Sequence, residues 1–133
     1  MDCLFCKILN GTISSKKIYE NDYAFAFLDI SPVSQGHSLI IPKKHFDNFS
    51  ESDDLFLSEV SKAAKVVAKL LASKIDGIKG FNYISNEGSE ALQMVFHYHL
   101  HVIPKYKKNE GFLHNKNIVD PIDIEKSFIQ ITK

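Results

Sequence analysis

Residues 97–103 read His97-Tyr98-His99-Leu100-His101-Val102-Ile103, with Phe96 immediately before them. Side chains on an extended chain alternate between faces, so the three imidazoles project to one side and Phe96, Tyr98, Leu100 and Val102 to the other. This predicts a strand from Phe96 to Ile103 with one core face and one chemical face. Same-face neighbours on a strand stand about 6.6–6.8 Å apart, close enough for three rings to surround one small anionic group. Histidine is only an intermediate core residue and its charge changes near neutral pH, so a purely structural role needs a separate partner for each ring. Three readings compete. The first is exposed or hydrogen-bonded histidines on an edge strand. The second is a metal site, in which two strand histidines at i and i+2 ligate Zn²⁺ with help from elsewhere. The third is covalent catalysis, in which a neutral imidazole attacks phosphorus while a neighbouring histidine handles the proton. The chemistry favours the third. An imidazole with a pKa near 6.5 is substantially deprotonated at neutral pH, and its phosphoramidate adduct is labile to water.

The flanking sequence gives an α+β order. Lys17 to Glu20, Tyr23 to Leu28 and Ser38 to Pro42 read as strands, the first two joined by the polar turn Asn21-Asp22. Ser50-Glu51-Ser52-Asp53 fits a Ser-x-x-Asp helix start. Phe56, Val60, Ala63, Ala64, Val67, Leu70 and Leu71 then recur at helical spacing up to Asp76-Gly77. Phe81 to Ser85 is a further strand, joined to the histidine strand by the loop Asn86-Glu87-Gly88-Ser89-Glu90. Strands on both sides of one long amphipathic helix predict a mostly antiparallel sheet with that helix on it. Residues 107–133 form a weakly periodic, partly ordered tail of the same domain, with one strand expected near Phe128 to Ile131.

At 133 residues, the chain is one domain with enough length for a real core. It is 44% hydrophobic and 24% charged with no net charge, which fits a globular protein and argues against a broad nucleic-acid face. All 16 basic residues are lysines. With no guanidinium fork, a bound phosphate must be held by backbone N–H groups, histidine or lysine. There is no apolar run of membrane-spanning length and Met1-Asp2-Cys3-Leu4-Phe5-Cys6-Lys7 is no signal peptide, so a cytoplasmic location with no membrane partner is expected. Cys3 and Cys6 are the only cysteines, and their spacing points to metal or redox chemistry, or to two small buried hydrophobes. His37 and His114 receive no role and are expected on the surface.

Five blocks in order carry a resemblance to the histidine triad nucleotide-binding family. They are Cys3-Leu4-Phe5-Cys6-Lys7-Ile8, Ala26-Phe27-Leu28-Asp29-Ile30-Ser31-Pro32, Gly36 to His45, Asn86-Glu87-Gly88, and the His97-x-His99-x-His101 run. The resemblance spans about residues 3–106, the expected domain. It implies an antiparallel five-stranded sheet with one long helix and a short N-terminal helix, continued across a homodimer. It also implies that His99 is the nucleophile on the α-phosphate of a purine nucleotide conjugate. His101 contacts the phosphate and assists the leaving group, and the His97 carbonyl orients His99. Leu4, Phe5, Ile8, Phe27 and Ile30 surround the base, Asp29 holds the ribose hydroxyls, and Asn86 and Gln93 lie near the phosphate. A Cys₂His₂ zinc site follows by the same resemblance from Cys3, Cys6, His45 and His97, closed and therefore structural. Of these, Phe27 and Ile30 read equally well as core residues and Asp29 as a turn former.

Three departures bear on activity. Leu92 stands where a glycine often precedes the glutamine, Met94 where a serine is common, and Lys105 where an arginine is usual. The resulting expectation is a hydrolase that releases a nucleoside monophosphate such as AMP through a nucleotidyl-histidine intermediate. Its rivals are a dinucleoside polyphosphate hydrolase, a nucleotide-binding regulator with vestigial hydrolysis, and a metal-binding interaction module.

Overall fold

Alternation of small and large residues explains how the sheet is covered on both faces. The computed structural model describes residues 2–133. A short helix α1 (Leu4–Leu9) precedes the hairpin of β1 (Lys17–Glu20) and β2 (Ala24–Leu28). The Asn21 side chain closes that hairpin by accepting from the Tyr23 and Ala24 N–H groups at 2.8 and 2.9 Å. Next come β3 (Ser38–Pro42), the long helix α2 (Asp54–Lys74), β4 (Gly80–Ile84), β5 (Leu100–Lys105) and the C-terminal helix α3 (Ile124–Thr132). The five strands pair antiparallel in the order β1-β2-β3-β5-β4, as the resemblance implies.

In β2, Ala24 and Ala26 face α2, where Val60, Ala63, Ala64, Val67, Ala68 and Leu71 meet them together with Ile40, Tyr98 and Val102. Small residues on both sides let helix and sheet approach closely. Phe25 and Phe27 point to the opposite face and pack with Leu39, Ile41 and the α1 residues Phe5 and Ile8. The period-two pattern of one strand thus serves two cores.

Three expectations about elements are corrected. The long helix begins at Asp54, capped by the Asp53 carboxylate accepting from Phe56 N–H at 3.0 Å, and not at Ser50. Residues 48–52 are held instead by Asn48, which accepts from Glu51 N–H through its side chain and from the Ser52 hydroxyl through its carbonyl. The histidine strand begins at Leu100, not Phe96. Its upstream part bends at 95–97 and bonds outside the sheet, with Tyr98 N–H donating to the Phe46 carbonyl at 2.6 Å. The expected tail strand near Phe128 to Ile131 is helical in α3. Asp123 caps it by accepting from Lys126 N–H at 3.0 Å, and Ile124, Phe128 and Ile131 follow a period near 3.6, which outweighs the local alternation.

Candidate active site

Leaving the sheet early does not scramble the histidine faces. Tyr98 and Val102 enter the α2 core, whereas His97 and His99 pack edge-on to Phe5 at ring separations of 5.9 and 5.1 Å. His101 follows 5.1 Å from His99. Phe96 belongs to neither core and is half exposed.

Hydrogen bonds to fixed backbone groups determine where each ring carries its proton. His99 Nδ1 lies 2.8 Å from the His97 carbonyl, which only accepts, so the proton sits on Nδ1 and Nε2 keeps its lone pair. The Val33 N–H donates to His37 Nδ1 at 3.2 Å, which puts the His37 proton on Nε2. That Nε2–H faces His101 Nδ1 at 2.9 Å, so His101 accepts there and carries its own proton on Nε2. The pair therefore presents one bare nitrogen, on His99, and one N–H, on His101.

His37 was expected at the surface with no role, and this expectation is corrected: the ring is 4% exposed and part of the site. A signal was available. Leu39 pairs with His101 across β3 and β5, and residue 37 lies two positions along on the same face. His114 is exposed, as expected. Asp29 completes the group, with Oδ2 3.4 Å from His37 Nε2 and Oδ1 accepting from Ser31 N–H at 2.8 Å. Its turn-forming role is thus real and uses only one oxygen. Asp29, His37 and His101 also have metal-ligand spacing. The Val33 N–H, however, keeps a proton on the one His37 nitrogen that faces the group, so this arrangement acts as a hydrogen-bond relay.

Burial shapes the electrostatics. Removal from water pushes His101 down from 6.5 to about 4, with the nearby His99 and His37 rings adding to the drop. Burial lowers His99 and His37 as well, and takes His97 to about 4. The unfolded chain takes up these protons near pH 6.5, whereas the folded chain resists them, so the stability contribution is full above pH 6.5 and is lost as pH falls toward 4. From 6.5 to about 4, His101 alone accounts for at most about 3 kcal/mol. Urea midpoints should therefore fall steadily between pH 6.5 and 4.5, above the range where most carboxylates titrate. His101→Gln should make that slope shallower, and a flat wild-type profile contradicts the assignment.

The remaining expected contacts divide. Phe5, Ile8 and Phe27 are buried in one cluster, in which Phe5 meets His97 and His99, while Leu4 and Ile30 are 43% and 92% exposed and free to meet a ligand. Asn86 lies two residues beyond Ile84, the last β4 residue, which pairs with His101. Gln93 is different: its Oε1 accepts from Gly88 N–H at 2.8 Å, and its Nε2 donates to the Asp47 and Val95 carbonyls at 2.6 and 3.1 Å. With its amide fully engaged, Gln93 shapes the loop before the triad and has no free donor for phosphate. Leu92 has φ 70°, the left-handed region that glycine enters without penalty, which explains why glycine suits this position. Met94 is 84% exposed. Lys105 Nζ donates to the Glu110 and Phe112 carbonyls and so anchors the tail.

Cys3, Cys6, His45 and His97 converge, with their donor atoms all within 4.8 Å. His97 Nε2 donates to the Pro42 carbonyl at 3.1 Å and His45 Nε2 to the Asp47 carboxylate at 2.9 Å. Both Nδ1 lone pairs therefore turn inward, 3.1 Å apart, with the Cys6 Sγ 3.4 Å from His45 Nδ1 and 3.6 Å from His97 Nδ1. Two facing lone pairs repel unless a cation lies between them. A tetrahedral centre with bonds of about 2.0–2.1 Å to nitrogen and 2.3 Å to sulfur needs N···N and N···S separations of roughly 3.3 and 3.6 Å. The donor set and its spacing fit.

The HIT domain model matches residues 10–108 of this chain. The chain belongs to the HIT family. An uncharacterized HIT-like protein of Mycoplasma pneumoniae is 46% identical over 132 residues, covering 99% of this chain and 91% of the relative. The adenosine 5'-monophosphoramidase of Saccharomyces cerevisiae is 42% identical over 84% of this chain and 67% of its own length. Among solved structures, a HIT family member from Bacillus subtilis superposes with a TM-score of 0.87 at 38% identity, covering 98% of this chain and 95% of the other. Among the described residues, no helix of this HIT protein is long and apolar enough to cross a membrane.

Proposed function

We propose that this chain hydrolyses purine nucleotide conjugates at the α-phosphate through a nucleotidyl-His99 intermediate and releases a nucleoside monophosphate such as AMP. One observation carries the reading: the His97 carbonyl holds the His99 proton on Nδ1, leaving Nε2 unprotonated beside the His101 N–H. In the first step the Nε2 lone pair forms a bond to phosphorus as the bond to the leaving group breaks. The leaving atom keeps its electron pair and takes a proton from solvent. The His101 Nε2–H donates to a phosphoryl oxygen as charge gathers there, a role that a guanidinium could have filled in a chain with arginine. In the second step water attacks phosphorus and gives a proton to solvent, and the N–P bond breaks with its electron pair returning to Nε2, so that His99 regains its neutral form. Phe5, Ile8 and Phe27 floor the base slot, with Leu4 and Ile30 at its rim, and Asp29 Oδ2 is available to ribose. The identity of the Saccharomyces cerevisiae relative as an adenosine 5'-monophosphoramidase supports adenosine 5'-phosphoramidate as first substrate.

Cys3, Cys6, His45 and His97 would hold a structural Zn²⁺, which fastens α1 to the chain before the triad when bound and takes no part in bond making. The outer edge of β4, unpaired among the described residues, supports a homodimer in which the sheet continues from one copy to the next.

The deciding assay follows AMP release from adenosine 5'-phosphoramidate and from a dinucleoside polyphosphate. AMP from the first supports the proposal, and a strong preference for the second favours the alternative main activity. Calorimetric AMP binding with no turnover of either points to a regulator. His37→Phe keeps most of the ring volume but removes the donor to His101. Its kcat should fall about 10²-fold with KM nearly unchanged, and an unaltered kcat removes His37 from the machinery.

A further inference from the structure

The two thiols stand at the start of α1, three residues apart. Cys3 is the N-cap, with extended backbone, and its Sγ accepts from Cys6 N–H at 3.3 Å. At helical rise and radius, residues three apart place their Cα atoms about 5 Å from each other. Disulfides span Cα separations of about 4.4–6.8 Å, so the backbone already suits one. The two Sγ atoms lie within 4.8 Å of each other, a gap that side-chain rotation closes.

The pair is also within reach of solvent. Both cysteines are only partly buried, and Cys3 lines an open cleft of about 590 Å³ with Leu4, His45, Met94 and Phe96. A small oxidant enters there without any movement of the core. Neither histidine replaces what oxidation would remove. His45 and His97 each offer one inward nitrogen, and two nitrogens leave a tetrahedral cation half coordinated.

We propose that Cys3 and Cys6 form a reversible oxidation site that takes a peroxide as co-reactant and empties the metal centre when it closes into a disulfide. One thiolate attacks an oxygen of hydrogen peroxide, the O–O bond breaks, and its electron pair leaves with hydroxide, so that the sulfur becomes a sulfenic acid. The second thiolate attacks that sulfur, and the S–O bond breaks with release of another hydroxide. Each hydroxide takes a proton from solvent. The two sulfurs together have lost two electrons, and the peroxide has become two molecules of water. The cation, left with two imidazoles, departs, and α1 loses its fastening to the chain before the triad. Phe5 lies between the two cysteines in sequence and packs 5.9 and 5.1 Å from His97 and His99, so the change reaches the nucleophile through one ring. This inference rests on the zinc centre and the His99 chemistry proposed above and adds how the first is emptied.

Peptide mass spectrometry and zinc release on the full chain test it. Hydrogen peroxide should liberate the bound zinc to a colorimetric chelator, while the peptide carrying Cys3 and Cys6 becomes lighter by two hydrogens and both thiols escape alkylation. Tm and kcat should fall together and return with a dithiol reductant and added zinc. Cys3→Ser and Cys6→Ser should not show the loss of two hydrogens. A mass that stays unchanged, gains oxygen on the thiols, or reveals a link between two chains overturns the oxidation site. A disulfide that forms with zinc still bound overturns the release. Loss of two hydrogens from protein that held no zinc beforehand overturns the metal centre and upholds the oxidation site. Absent turnover before oxidation overturns the His99 chemistry alone, because mass and zinc still read the thiols.

Discussion

Replacing His99 with alanine should reduce turnover of adenosine 5'-phosphoramidate by at least about 10³-fold while leaving AMP affinity within about tenfold. The magnitude follows from the role: removing a covalent nucleophile deletes the pathway, and what remains is positioning and electrostatic assistance by the rest of the site. Affinity should survive because the base slot of Phe5, Ile8 and Phe27 and the Asp29 carboxylate are untouched. Wild-type protein quenched during turnover in alkaline denaturant, where the N–P bond survives, should carry a nucleotide mass on the peptide containing His99, and the variant should carry none. His101→Ala should be milder, because it removes one hydrogen bond to the phosphoryl group and leaves the nucleophile in place. Unchanged turnover by His99→Ala would falsify the nucleophile assignment, and an adduct on His101 would exchange the two roles.

Much of this site is legible in the sequence because period-two alternation survives the loss of regular pairing. Tyr98 bonds to the Phe46 carbonyl and the chain bends at 95–97, yet Tyr98 still enters the α2 core while His97 and His99 meet Phe5. What alternation conveys is which side a ring is on, not where its proton lies. The proton on His101 is set by Val33 and His37, 68 and 64 residues away, and no local pattern in the chain records that chain of contacts. Gln93 is tied into the loop by contacts that are equally invisible in the local sequence. Its type and position were right for a donor, but the loop carbonyls of Asp47 and Val95 take both of its N–H groups. The departures from the family were readable as chemistry, since Leu92 occupies a left-handed position where its side chain brings strain. The tail misled because Phe128-Ile129-Gln130-Ile131 half fits a strand, and only the Asp123 cap and the spacing of Ile124, Phe128 and Ile131 separate the alternatives.

Loss of the metal should act on stability first and on chemistry second. Protein purified without chelator should contain close to one zinc per chain. Cys6→Ser leaves three donors around a site built for four and removes one of the two thiolates. Structural zinc contributes about 10–16 kcal/mol in peptides that have no other core. This chain has two apolar clusters of its own, so the share lost should be smaller, a few kcal/mol, lowering Tm by roughly 10 °C or more in a domain of this size. His97→Asn should show both effects. It removes a metal donor and the bond to the Pro42 carbonyl, and it loosens the backbone whose carbonyl holds the His99 ring. His45→Ala should match Cys6→Ser in Tm and change kcat only modestly, because His45 touches the triad solely through His97. The ordering is what discriminates. His99→Ala should leave Tm within a few degrees and abolish turnover, whereas Cys6→Ser should depress Tm and retain measurable turnover at low temperature. If no stoichiometric zinc is found and Cys3→Ser and Cys6→Ser melt like wild type, the four side chains form no metal centre. The inward lone pairs of His45 and His97, 3.1 Å apart, must then share a proton instead.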